Sequence, residues 1–141
     1  MAKKIIFTEK APKPVGPYSQ AVVSGDFVFV SGQIAIDPET SKVVEGGIEA
    51  QTAQVLENIK NILESVDLNL TDVVKTSIFL SNLSDFQAFN RVYSKYFEKD
   101  TPARTTVQAN LMVGVLVEID AIAKNPSQKE KGGLAPILRG P

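Results

Sequence analysis

The chain has no cysteine and no histidine, and these two absences remove most of the usual catalytic repertoire. Without thiols there is no disulfide, no thiolate nucleophile and no sulfur-ligated metal; without imidazole the usual general base and the commonest metal ligand are gone. A Ser-His-Asp triad is excluded. An enzyme of this composition must work with Glu, Asp, Lys, Tyr, Ser or Thr, backbone groups and water, which points to an electrophile that is already reactive. Charge imbalance is missing too: 15 basic residues stand against 16 acidic ones among 141, so the basic footprint of a nucleic-acid binder is not there. No apolar run approaches the roughly 20 residues that span a bilayer. The opening Ile5-Ile6-Phe7 meets Glu9 and Lys10 too soon to form a signal-peptide core. The expectation is a cytoplasmic protein without a membrane partner.

What is present reads as one α+β domain of a length that buries roughly 68 to 70% of its unfolded surface. Residues 18–23 and 27–31 are rich in aromatic and β-branched side chains around Ser24-Gly25-Asp26, a hairpin pattern. Residues 37–47 read as an exposed loop or second hairpin without a function. Apolar residues at 48, 55, 56, 59, 62, 63 and 66 predict an amphipathic helix with Gln51, Asn58, Lys60 and Glu64 on its wet side. A strand over 73–80 leads to a second helix over about 85–98, with Ser84 and Gln87 at capping-box spacing and a core stripe of Phe86, Phe89, Val92, Tyr93, Tyr96 and Phe97. Strands over 105–109 and 115–123 complete the set, with an extra one at 5–8.

This order predicts a mixed sheet with two helices on one face. On the last strand Val115, Val117, Ile119, Ala121 and Ala123 alternate with Leu116, Glu118, Asp120 and Ile122. Both sides are largely apolar, so self-association through the second face is expected. Residues 1–124 form the domain and 125–141 a tail, flexible or docked on the surface.

Two charges stand out. Arg104 follows the Thr101-Pro102-Ala103 turn on a strand face shared with Thr106 and Gln108, and Glu118 interrupts the apolar last strand. A fork-shaped cation and a carboxylate in β-rich apolar sequence fit a pocket for a small anion with an acid/base group beside it, or else a structural ion pair or a solvated sheet face. Glu118 and Asp120 share a strand face but lack a third acidic neighbour for a metal. Gly46-Gly47 before a helix carries neither a dinucleotide fingerprint nor a Walker lysine and reads as a loop. Tyr18, Ser31-Gly32-Gln33 and Asn90 are pocket candidates that packing explains equally well.

Taken in order, the blocks Ala11 to Ala21, Val30-Ser31-Gly32-Gln33-Ile34, Phe89-Asn90, Pro102-Ala103-Arg104-Thr105 and Val117 to Ala123 resemble the reactive intermediate deaminase family, RidA or YjgF-like, the 2-iminobutanoate/2-iminopropanoate deaminases. The resemblance covers about residues 3 to 124. It implies a chorismate-mutase-like α+β fold, a homotrimer whose sheets form a central barrel, and active sites in the clefts between subunits. It also implies cofactor-independent hydrolysis of imines or enamines such as 2-aminoacrylate and 2-iminobutanoate to 2-oxo acids and ammonia. By the same resemblance Arg104 clamps the substrate carboxylate, Glu118 activates water, and Tyr18, Ser31, Gly32, Asn90 and Thr106 line the pocket. Thr106 stands where many relatives have Cys, at a position whose contact runs through the backbone, and the 111–114 loop is one residue shorter than in the best-known deaminases. The alternatives within this resemblance are a trimeric regulatory module that binds 2-oxo acids without turnover, and a ribonuclease or translation inhibitor, which the charge balance disfavours.

Overall fold

A computed structural model describes residues 2–126; the tail expected over 125–141 lies almost wholly outside the described residues. The strands are β1 (Lys4–Ile6), β2 (Ala21–Ser24), β3 (Phe27–Gln33), β4 (Ile36–Asp37), β5 (Lys42–Val43), β6 (Val73–Leu80), β7 (Ala103–Gln108) and β8 (Val117–Lys124), and the helices are α1 (Gly47–Glu64) and α2 (Phe86–Tyr96). Six strands form one sheet in the order β1-β2-β3-β8-β6-β7, and β4 and β5 make a separate hairpin. Neighbours run antiparallel except β6 and β7, which are parallel. Parallel neighbours need a crossover, and α2 supplies it.

Both helices cover one face. Val55, Leu56, Ile59, Ile62 and Leu63 of α1 lie fully buried against Val117, Ile119, Ala121 and Ala123 of β8 and Ile78 and Leu80 of β6. At about 25 cal/mol per Å² of apolar area removed from water, this layer is the main source of stability. The alternation expected along β8 holds: its odd-numbered residues are buried and its even-numbered ones half-exposed. On the uncovered face Ile5, Phe27, Phe29 and Val107 are exposed.

Several local expectations are corrected. The wet-side assignment of Gln51 and Asn58 fails: they are 4% and 0% exposed, because each finds backbone partners that compensate for its burial. The second helix is not capped by Ser84; Asn82 accepts from the Ser84 N–H, a 3-10 turn over Leu83–Asp85 follows, and α2 starts only at Phe86. Tyr18 does not begin a strand. It follows a tight turn about Pro17, with its N–H on the Gly16 carbonyl at 2.9 Å, and β2 begins at Ala21. Gly46 and Gly47 have φ of 114° and 80°, the left-handed region that favours glycine, which accounts for the pair without a ligand.

Candidate functional site

Near the bulge where β3 departs from β8, between Val30 and Gln33, a cavity of about 470 Å³ opens between Tyr18, Ser31, Gly32, Ile36, Met112 and Glu118. The bulge brings Gly32 against the Glu118 carboxylate. Ile36 lies just before the 37–47 region, of which no residue lines the cavity.

Three buried amides fix the walls. Gln20 donates to the carbonyls of Thr8, Ala11 and Pro12 at 3.0, 3.3 and 2.9 Å and accepts from the Thr8 N–H at 2.8 Å. Gln51 reaches from α1 to the Gly114 carbonyl at 2.9 Å and the Leu116 N–H at 2.8 Å. Asn58 donates to the Ile34 and Ile36 carbonyls at 3.3 and 2.9 Å. None of the three was foreseen; for Gln51 and Asn58 the available signal was an amide beside an apolar helical stripe.

Glu118 is half-buried, and burial, reinforced by the like charge of Asp120, raises its carboxyl pKa above the ordinary 4.5. Ser31 donates its hydroxyl proton to the Ser19 carbonyl at 2.5 Å, so toward the cavity it offers lone pairs. Tyr18 is half-exposed at the mouth, and its hydroxyl accepts from the Val15 N–H at 3.4 Å.

Arg104 is elsewhere. It lies opposite Thr76, which lies opposite Ala121, whereas Glu118 lies opposite Phe79, which lies opposite Val107. Residues directly opposite each other in a sheet share a face, and odd offsets along a strand alternate. Arg104 therefore projects among the helices and Glu118 from the uncovered face, with β6 between their strands. Within one chain they form no ion pair; the ion pairs among the described residues are Lys60–Glu57, Arg91–Glu49 and Lys124–Asp26.

Around Arg104, α2 builds a cradle. The guanidinium carbon stands 4.9, 5.6 and 5.7 Å from the ring centres of Tyr93, Phe86 and Phe89, and its Nη1 donates to the Asn90 side-chain oxygen at 2.9 Å. No carboxylate faces it among the described residues. The Thr106 hydroxyl, two residues along the same strand face, is buried without a hydrogen-bond partner. Of the stripe expected to be core, Phe89, Tyr93 and Phe97 are buried, Val92 and Tyr96 half-buried and Phe86 exposed, and its Phe86, Phe89 and Tyr93 rings form the floor of a cation site as well. The expected site residues form two groups, Tyr18, Ser31, Gly32 and Glu118 at the cavity and Asn90, Arg104 and Thr106 against α2.

A mixed sheet covered on one face by two helices defines the α+β class to which this protein belongs. The model of the endoribonuclease L-PSP family matches residues 8–125, and the chain belongs to that family, which takes in the RidA and RutC-family proteins. A RutC family protein of Pyrococcus abyssi is 56% identical over 124 residues, 87% of this chain and 98% of the relative. The chloroplastic Reactive Intermediate Deaminase A of Arabidopsis thaliana is 45% identical over 122 residues, 86% of this chain and 65% of the relative. RidA from an Antarctic Psychrobacter superposes with a TM-score of 0.82 at 46% identity, over 86% of this chain and 98% of that one. TdcF of E. coli, solved with bound serine, gives a TM-score of 0.82 at 38% identity over 86% and 98% of the two chains. No helix among the described residues is long and apolar enough to cross a membrane.

Proposed function

We propose that the protein hydrolyses small 2-imino acids and their enamine tautomers to 2-oxo acids and ammonia, in clefts between the subunits of a homotrimer. The observation that carries this reading is Arg104: a half-buried guanidinium with one hydrogen bond, to Asn90, and no anionic partner among the described residues. Leaving such a group without an anion is costly unless one arrives. A substrate carboxylate answers the need with two parallel charge-assisted hydrogen bonds, contributing about 1.5 to 3 kcal/mol each. The unpartnered Thr106 hydroxyl is a further donor on that face.

Glu118 supplies the acid/base group. Water adds to the carbon of the protonated imine while Glu118 takes one of its protons and passes it to the adduct's nitrogen; the carbon–nitrogen bond then breaks as Glu118 takes the hydroxyl proton, leaving the 2-oxo acid and ammonia, to which that proton is finally given as ammonium. A carboxyl pKa raised by burial suits both transfers, and the reaction calls for no cofactor. Because Arg104 and Glu118 leave opposite faces of one sheet, the cleft unites the Arg104 of one subunit with the Glu118 of the next, an arrangement that requires closed cyclic assembly. The uncovered apolar sheet face is the surface on which subunits meet. The name of the Arabidopsis relative supports the chemistry, and the serine bound to TdcF supports an amino-acid-sized ligand.

Separately, Arg104→Ala abolishes acceleration of imine loss behind a pyridoxal-phosphate dehydratase, and Glu118→Gln lowers it strongly while leaving 2-oxo-acid binding measurable. Refolded together in equal amounts, the two inactive variants regain activity, because about one cleft in four unites an intact arginine with an intact glutamate under random cyclic assembly. Full activity of both single variants, or no recovery in trimers shown by mass spectrometry to be mixed, defeats the proposal. A wild type that binds 2-oxo acids but does not accelerate imine loss would favour the non-catalytic sensor instead.

A further inference from the structure

We infer that Phe86 and Tyr93 are positioning residues, which fix the plane of the Arg104 guanidinium so that one edge is held by Asn90 and another is presented to the substrate carboxylate; this rests on the anion-capturing role proposed for Arg104. A cation in partly buried surroundings is ordinarily steadied by an anion, but an anion here would occupy the edge the substrate needs. Aromatic faces stabilise a guanidinium without consuming its N–H groups. Three rings surround Arg104, with Tyr93 nearest at 4.9 Å.

Tyr93 is itself tied down. Its hydroxyl shares a 2.7 Å hydrogen bond with Thr76, the β6 residue directly opposite Arg104, and its ring packs between Phe89 and Phe97 at centre distances of 5.3 and 4.7 Å. One buried hydroxyl pair therefore locks α2 to the very strand row from which Arg104 springs. Phe86 closes the outer side and is 36% exposed, so it can be exchanged without emptying the core. Phe89 and Asn90 come from adjacent helix positions; Phe86, Phe89, Asn90 and Tyr93 recur at helical three-and-four spacing, so a single face of α2 delivers both the rings and the amide.

The decisive variant is Phe86→Leu, with Phe86→Tyr as the rescue. Losing one ring should raise the dissociation constant for pyruvate or 2-oxobutanoate, and the KM for the imine, by roughly 3- to 30-fold. The kcat should stay within about twofold because Glu118 is untouched. Phe86→Tyr should restore wild-type values, and the melting temperature should move little in either variant. Independently of any variant, the Arg104 Nε–H proton in the wild type should resonate upfield of the other arginine Nε–H signals through the ring currents of the cradle, and shift back toward them in Phe86→Leu. Unchanged affinity in folded Phe86→Leu, failure of Phe86→Tyr to restore it, or an unshifted Arg104 signal overturns the inference. Since binding of a 2-oxo acid and the resonance are read without turnover, a protein inactive on imines still tests it.

Discussion

The Glu118 carboxyl lies directly against the α-carbon of Gly32: a methyl placed on that glycine would stand 3.1 Å from the carboxyl carbon and 3.2 Å from Cγ, and nearer still to one oxygen. Real Cβ contacts of that kind do not occur without displacement of one partner. Gly32→Ala should therefore push the carboxylate off its place while leaving the strand intact. With a misplacement on the order of 1 Å, kcat/KM should fall about 10- to 100-fold, measured in the coupled dehydratase assay, with a far-UV circular dichroism spectrum like that of the wild type.

Burial, then Asp120, raises the Glu118 pKa above 4.5, and this fixes the sign of two pH effects. A base must be ionised, so the acid limb of kcat/KM should lie above the ordinary carboxylate range. Asp120→Asn should move that limb to lower pH without returning it fully, because burial is the larger cause. For stability, the folded state holds the proton more tightly than the unfolded one, so stability falls as pH rises from the ordinary carboxylate range through the raised folded pKa. Glu118→Gln should accordingly melt higher than the wild type at neutral pH, and the difference should fade as the pH drops below the unfolded value. Equal melting temperatures at pH 7 would contradict the assignment.

Gln20 holds the segment from Thr8 to Pro12 through four hydrogen bonds. Gln20→Leu keeps the bulk and strands those backbone groups. We expect a loss of about 1 to 3 kcal/mol in urea unfolding, accompanied by a raised KM as the cavity wall loosens. Asn61→Ala, which removes one exposed bond to the Lys10 carbonyl, should change stability by less than about 0.5 kcal/mol.

What could be read from the residues was what short-range periodicity encodes. The α1 stripe through Val55, Leu56, Ile59, Ile62 and Leu63, the alternation along β8 and the bare second face of the sheet all follow from spacing alone. The faces of Arg104 and Glu118 do not. Whether two residues on different strands share a side depends on register, and here it is set by Arg104 opposite Thr76 opposite Ala121, pairings distant in sequence. Polar residues were misread for a related reason: Gln51 and Asn58 look like surface positions until their backbone partners at Gly114, Leu116, Ile34 and Ile36 arrive from segments at least 22 residues away. Likewise Tyr93 could be recognised as core, but the approach of Arg104 to Tyr93 and to the exposed Phe86 needed a strand that pairs with β6 only after α2 has crossed over.

The buried amides of Gln20, Gln51 and Asn58 grip main-chain atoms of the cavity walls and ignore the side chains those walls display. Positions such as Val15, Ile36 and Met112 are thereby released from any duty of holding their own loops in shape. A library randomised at these positions, with the amides kept, should yield a high share of folded members, and selectivity for new acyl groups could be evolved on a scaffold whose loop geometry is inherited from its interior.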